Sequence, residues 1–224
     1  MNSKSILRII TDIGMTVLLM LLMAFELVGR TAHEWIGMGL FVLFIIHHVL
    51  NKKWSQNLFH GKYHLFRGLQ TILTFLVFVT MLGSFASAIL ISREVFAFLP
   101  FQGGRAFGRT LHMLCAYWGF MFMSLHLGFN WNTILGMVDR MKKKDSRIRS
   151  FVLRITGIGI ALYGIRAFFY REMPTYLFLQ TEFVYFDFNE PLLFFFLDYL
   201  AIMGFFIFVG YYLGVMIRHI RKKQ

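Results

Sequence analysis

Long apolar stretches alternate with short polar ones along the whole chain, with no β-type alternation of single residues. A bilayer core of about 30 Å needs roughly 20 apolar residues in helical form, so stretches of this length predict transmembrane helices. Six spans follow: 7–29, 33–50, 68–92, 110–131, 151–170 and 192–217. Basic or breaker-rich segments separate them, among them NKKWSQNLFHGKYHLFR, REVFAFLPFQGGRAFGR with Pro100 and Gly103–Gly104, and DRMKKKDSRIR. The basic N-terminus and the apolar run behind it are read as a retained first span, because no small-residue cleavage site follows. The fifth span is the most polar, since Arg154 and Arg166 must snorkel toward its ends. The expected fold is therefore an all-α integral membrane protein, a single membrane domain over 1–224.

Composition agrees with this pattern: 58% of the residues are hydrophobic and only 15% charged. The formal net charge of +12 would suggest nucleic acid in a soluble chain. Here the cations lie between apolar spans, so the expected partner is membrane lipid and not nucleic acid. Six spans put both termini on one side. Of the 23 Lys and Arg residues, only Arg30, Arg93, Arg105, Arg109, Arg166 and Arg171 fall on the other side. The positive-inside rule then predicts both termini in the cytoplasm.

Two spans carry the same design. HEWIGMGLFVLFIIHHVLNKKW begins at His33, and HMLCAYWGFMFMSLHLGFNW begins at His112. Aligning these histidines places His47 on His126 and Asn51 on Asn130. Histidines fourteen residues apart lie about 40° apart on a helix and about 21 Å apart along it. Both spans run outside to inside, so His33 and His112 share an outer level, and His47 and His126 an inner one. Topology from charge and pairing from spacing agree independently.

A histidine inside a membrane helix is costly without a partner. One alone reads as a structural hydrogen bonder; four matched in spacing and depth read as two bis-histidine sites, the axial ligand sets of two haem b groups stacked in the bundle core. His48 is the alternative to His47, since it lies offset about 60° from His33 the other way. Arg30, Arg105 and Arg109 outside, and Lys52, Lys53 and Arg140 inside, are candidate propionate cations or lipid-headgroup contacts. Gly37, Ala116, Gly119 and the small residues Gly83–Ala88 would let a macrocycle or simply another helix approach.

Other features have plainer readings. Cys115, the only cysteine, has no disulfide partner and reads as core filling. His60 and His64 share a helix face but lack a third ligand. Asp198 is either a proton relay or quinol contact, or a carboxylate favoured near a helix N-terminus. Glu172, Glu182, Asp187 and Glu190 with Tyr176, Phe183, Tyr185 and Phe186 form a patch for a redox partner, a haem cap or an interfacial belt.

The pieces HEWIG…HHVLN, the GKY…R linker, LISREVF, LHMLCAYWGFMFMSLHLG and FVYFDFNEP…FLDYLAIMG cover most of the chain. On these the chain resembles the bacterial six-helix flavinylation-associated cytochromes, formerly a domain of unknown function. More distantly it is similar to dihaem cytochrome b anchors and ferric-reductase-like proteins. It departs from the family at Asn51 and Asn130 and in the doubled His47–His48. The resemblance implies His33, His47, His112 and His126 as haem ligands, and electron transfer across the bacterial cytoplasmic membrane toward an extracytosolic FMN-carrying protein or another redox partner, with quinone a further candidate. No nucleotide-binding glycine loop is present, so the chain reads as an electron-transfer component and not a self-contained enzyme. The alternatives are a proton- or metal-coupled transporter and a quinone or ferric reductase membrane subunit.

Overall fold

In the computed structural model, residues 3–58, 60, 63–99, 103–139 and 147–221 are described. Among them every regular element is a helix: α1 (Ser3–Leu22), α2 (Phe25–Leu50), α3 (Lys52–Gln56), α4 (Leu65–Ile91), α5 (Arg105–Phe129), α6 (Trp131–Asp139), α7 (Arg147–Tyr170), α8 (Met173–Leu177) and α9 (Leu192–Arg221). Five of them, α1, α2, α4, α7 and α9, contain stretches long and apolar enough to cross a membrane. They leave stripes such as Ile10, Ile13 and Val17 on α1 and Val42, Ile45 and Val49 on α2 exposed, as lipid contact requires. The fourth expected span is also a long helix, α5 with 25 residues, but it is more polar, carrying Arg105, Arg109, His112, Ser124 and His126.

The first two spans part differently from the sequence expectation. The first helix ends at Leu22, and Met23 and Ala24 form a buried turn. Gly29, with φ 74° and ψ 166°, then breaks α2 one turn after it begins. Only this second break carries a sequence signal, because glycine alone adopts that backbone without steric cost. The short helices α3, α6 and α8 lie in segments expected as linkers. Arg140 and the Lys142–Lys144 run lie outside the described residues.

The chain divides into two compact units: Met1–Lys62 with Met81–Ala116, and Tyr63–Thr80 with Tyr117–Gln224. In the first unit α1 runs along α2. A Cβ on Gly14 would stand 3.1 Å from Leu43, and one on Gly39 3.6 Å from Leu18. The Arg8 guanidinium donates to the terminal carbonyl of α2 at Leu50 (2.6 Å). Phe41 of α2 stacks on Phe85 of α4 with ring centroids 3.6 Å apart. Gly83 of α4 faces Cys115 of α5, whose sulfur would lie 2.5 Å from a Cβ there.

In the second unit α7 and α9 pack through small residues: Gly164 against the Ala201 carbonyl, and Gly204 against Ile160. Gly128 of α5 and Gly210 of α9 bring those helices equally close. Such contacts are how helices gain dispersion energy in lipid, where the hydrophobic effect does not drive association. Phe120, Met173, Tyr199 and Ile202 fill the centre. At the end of α7, Arg171 donates to Asp198 (2.8 Å) and, through two nitrogens, to Glu190 (2.7 and 2.5 Å). The Tyr163 hydroxyl donates to the other Asp198 oxygen (2.5 Å). Burial disfavours the Arg171 cation, but its bonds to Glu190 and Asp198 more than offset this and raise its pKa above the ordinary arginine value. Asp198 thus takes part in a closed ion network with Arg171, Glu190 and Tyr163, a role that neither of its sequence readings named.

Candidate functional site

His33 and His112 come together in the first unit. Their ring centroids are 6.0 Å apart and the ring planes 68° apart. Phe25 closes over the other side of His33 edge-on, with centroids 5.0 Å apart.

The hydrogen bonds fix which nitrogen of His112 is available. Its Nδ1 lies 3.1 Å from the Ser84 carbonyl and 3.1 Å from the Ser87 hydroxyl. A carbonyl only accepts, and the Ser87 hydroxyl spends its proton on that same carbonyl (2.9 Å). Nδ1 therefore carries the proton, and the Nε2 lone pair is left for a ligand. Metal-binding histidines are oriented in this way by a second group on the non-ligating nitrogen. His33 differs: its Nδ1 is buried without a hydrogen-bond partner. A buried polar atom left unpaired costs about 1–3 kcal/mol, so it calls for a reason.

These two side chains fit a metal-centred group. Two imidazoles on one metal, each bonded through nitrogen at about 2 Å, hold their ring centres about 6 Å apart. Among the described residues no group of three or more His, Cys, Asp or Glu side chains gathers to hold a bare metal ion. A pair of imidazoles suits a group that brings its own equatorial donors, as a porphyrin does.

The remaining predicted ligands have their own surroundings. His47 Nδ1 lies 2.7 Å from an Asp12 oxygen of α1. His48, one position on, donates from Nδ1 to the Phe44 carbonyl (2.9 Å) and rests against the Phe44 ring. Both therefore use Nδ1 for a bond within the first unit. In the second unit the His126 Nδ1 lies 3.3 Å from the Thr74 hydroxyl, whose proton goes to the Gln70 carbonyl (2.8 Å). The Asn130 amide lies 3.4 Å from His126 Nε2, and Gln70 holds the Asn130 carbonyl oxygen (2.8 Å).

The repeated asparagine has a structural role. Asn51 donates its side-chain amide to the His47 carbonyl (2.9 Å), and Asn130 donates to the His126 carbonyl (2.8 Å). Each adds a second bond to a carbonyl that already accepts from the same residue's backbone amide, at the point where one helix ends and a short helix follows. Of the small residues expected beside a macrocycle, Gly37 meets Leu22, Gly83 meets Cys115, and Gly119 meets Thr80. Their contacts are with neighbouring helices.

Arg30, Arg105 and Arg109 are exposed within two helical turns of His33 or His112 along their helices, and Lys52 and Lys53 are exposed just past His47. His60 bonds back to the Gln56 carbonyl (3.2 Å). The acidic aromatic segment divides. Tyr176 is buried, and its hydroxyl accepts from the Tyr185 amide (3.0 Å). Burial pushes the Tyr176 phenol above its ordinary pKa, while that amide bond works the other way. Phe183 and Tyr185 stand outside, 78% and 77% exposed.

Sequence reasoning missed Ser84, Ser87 and Thr74 as histidine partners. The signal was there: α4 carries hydroxyls thirteen residues apart at Thr74 and Ser87, close to the fourteen between His112 and His126. It also missed Glu34 and Asp12, for which spacing offers no cue. In comparisons with known proteins, no family model, no curated protein and no solved structure matches the chain.

Proposed function

We propose that this chain is a dihaem b-type cytochrome of the bacterial cytoplasmic membrane, moving electrons between its two faces. The observation that supports this most is the His33–His112 pair, 6.0 Å between ring centres on two separate helices. In this reading α5 is the sixth span, with Ser124 buried and the exposed Arg105 and Arg109 at its first turns near the membrane surface. The excess of Lys and Arg on the side of the termini supports a cytoplasmic location for both.

His33 and His112 would hold one haem; His126, and His47 or His48, are the candidate ligands for the other. A haem so held would supply one-electron transfer. The polypeptide's part is to fix the imidazole tautomers, exclude water with its aromatic side chains, and place Arg30, Arg105 and Arg109 where they neutralise propionates. The resemblance to flavinylation-associated cytochromes suggests an extracytosolic FMN-carrying protein as electron partner, with a quinone as the other candidate.

The reduced-minus-oxidised spectrum and the haem-to-protein ratio of the purified protein test this. Two low-spin b-type haems per chain are expected. Proton-coupled flux in liposomes from a haem-free protein would instead establish a transporter.

A further inference from the structure

We propose that Glu34 is a positioning residue for the His33–His112 pair, tying the helix of one histidine to the helix that orients the other. The inference rests on the cytochrome reading only for what the pair holds; the tether itself is independent of it.

Glu34 follows His33 directly in α2, yet its carboxylate is bound to the far end of α4. One oxygen accepts from the Ser92 hydroxyl (2.6 Å) and from the amides of Glu94 and Val95 (3.0 Å each). The other accepts from the Arg93 amide (3.0 Å). Ser92 in turn accepts from the Phe96 amide (2.9 Å). Four donors converge on one carboxylate, three of them the successive backbone amides of the turn that follows α4. Bonds to an ionised acceptor are about twice as strong as neutral ones.

The position of the anchor matters. Ser84 and Ser87, which hold His112 Nδ1, lie eight and five residues before Ser92 on the same helix. The chain of contacts therefore runs from His33 through Glu34 to the end of α4, and back along α4 to His112. His33 has no hydrogen bond of its own at Nδ1, and the tether lies at the very next residue. A rigid helix segment carries a displacement at Ser92 to Ser87 with little loss, since one turn rises only about 5.4 Å.

Three variants test this, in a Cys115→Ser background: Glu34→Gln, Glu34→Ala and Ser92→Ala. Glu34→Gln keeps the volume but turns one acceptor into a donor facing backbone N–H groups. The low-spin electron paramagnetic resonance signal and midpoint potential of one haem should shift, while the other haem stays as in wild type. Loss of that one haem to a scavenger should quicken roughly ten-fold or more, as expected from losing one charge-assisted bond. Glu34→Ala should act more strongly, and Ser92→Ala in the same direction but less.

A second readout needs no haem. Spin labels on exposed Trp35 and Phe98 should give a narrow distance distribution that broadens in Glu34→Gln. If both haem signals and the label distances stay unchanged in Glu34→Ala, the proposal is overturned. A wild-type chain without haem would end the cytochrome reading, and the label distances would still decide the tether.

Discussion

The helices α2 and α5 carry the same histidine spacing but treat their histidines differently. On α5, both imidazoles donate Nδ1 protons to α4: His112 to Ser84 and Ser87, His126 to Thr74. On α2, His33 has a buried Nδ1 without a partner, and His47 is turned to the carboxylate of Asp12 on α1. On α5 the polar groups of α4 set the tautomers of both imidazoles, with the Asn130 amide near His126 Nε2; on α2 one imidazole faces a carboxylate of α1 and the other has an unpaired Nδ1. A repeat in sequence is thus not a repeat in environment. In this comparison α5 is the preorganised half and α2 the adjustable half.

The sharpest way to break the comparison is to remove the ligands. His33→Ala and His112→Ala should each abolish the same one of two haems, read as the haem-to-protein ratio falling by half. If the two variants lose different haems, His33 and His112 do not share a site. Next come His47→Ala and His48→Ala. Only one of them should abolish the second haem, and the midpoint titration of each variant identifies which.

Arg171→Met offers a contrast between bonds that hold the fold and bonds that orient a ligand. It leaves the buried carboxylate of Asp198 and the partly buried one of Glu190 without their cation, and breaking such a pair typically costs about 3–5 kcal/mol. Thermal unfolding in detergent should show that loss with two haems still bound. Ser87→Ala and Thr74→Val should do the reverse, with little change in unfolding but roughly 10- to 100-fold weaker haem retention, each at a different haem. Asp12→Asn should have the smallest effect. The pair is solvent-accessible, with side chains 30% and 52% exposed, and such pairs contribute about 1 kcal/mol or less. A large loss of haem in Asp12→Asn would show that α2 is as tightly organised as α5.

The hydrophobic pattern alone located the long helices, because a bilayer demands apolar length and internally satisfied backbone bonds whatever the tertiary contacts. The spacing of His33 with His47 and of His112 with His126 also needed nothing beyond helical geometry. Short-range signals failed where tertiary packing overrides them. The turn at Met23–Ala24 has neither glycine nor proline and exists because those residues are buried. Asp198 read as an ambiguous carboxylate until Arg171, Glu190 and Tyr163 were found around it.

The sequence by itself determined that the chain is helical, rich in membrane-length segments and marked by a repeated histidine motif. These properties follow from local periodicity and composition, which each residue carries wherever the chain folds. Only the tertiary structure decided that His33 meets His112, that α4 supplies the acceptors for His112 and His126, and that Glu34 binds the end of α4. Those contacts join residues 25 to 79 positions apart, and side-chain hydrogen bonds leave no period in the sequence to announce them.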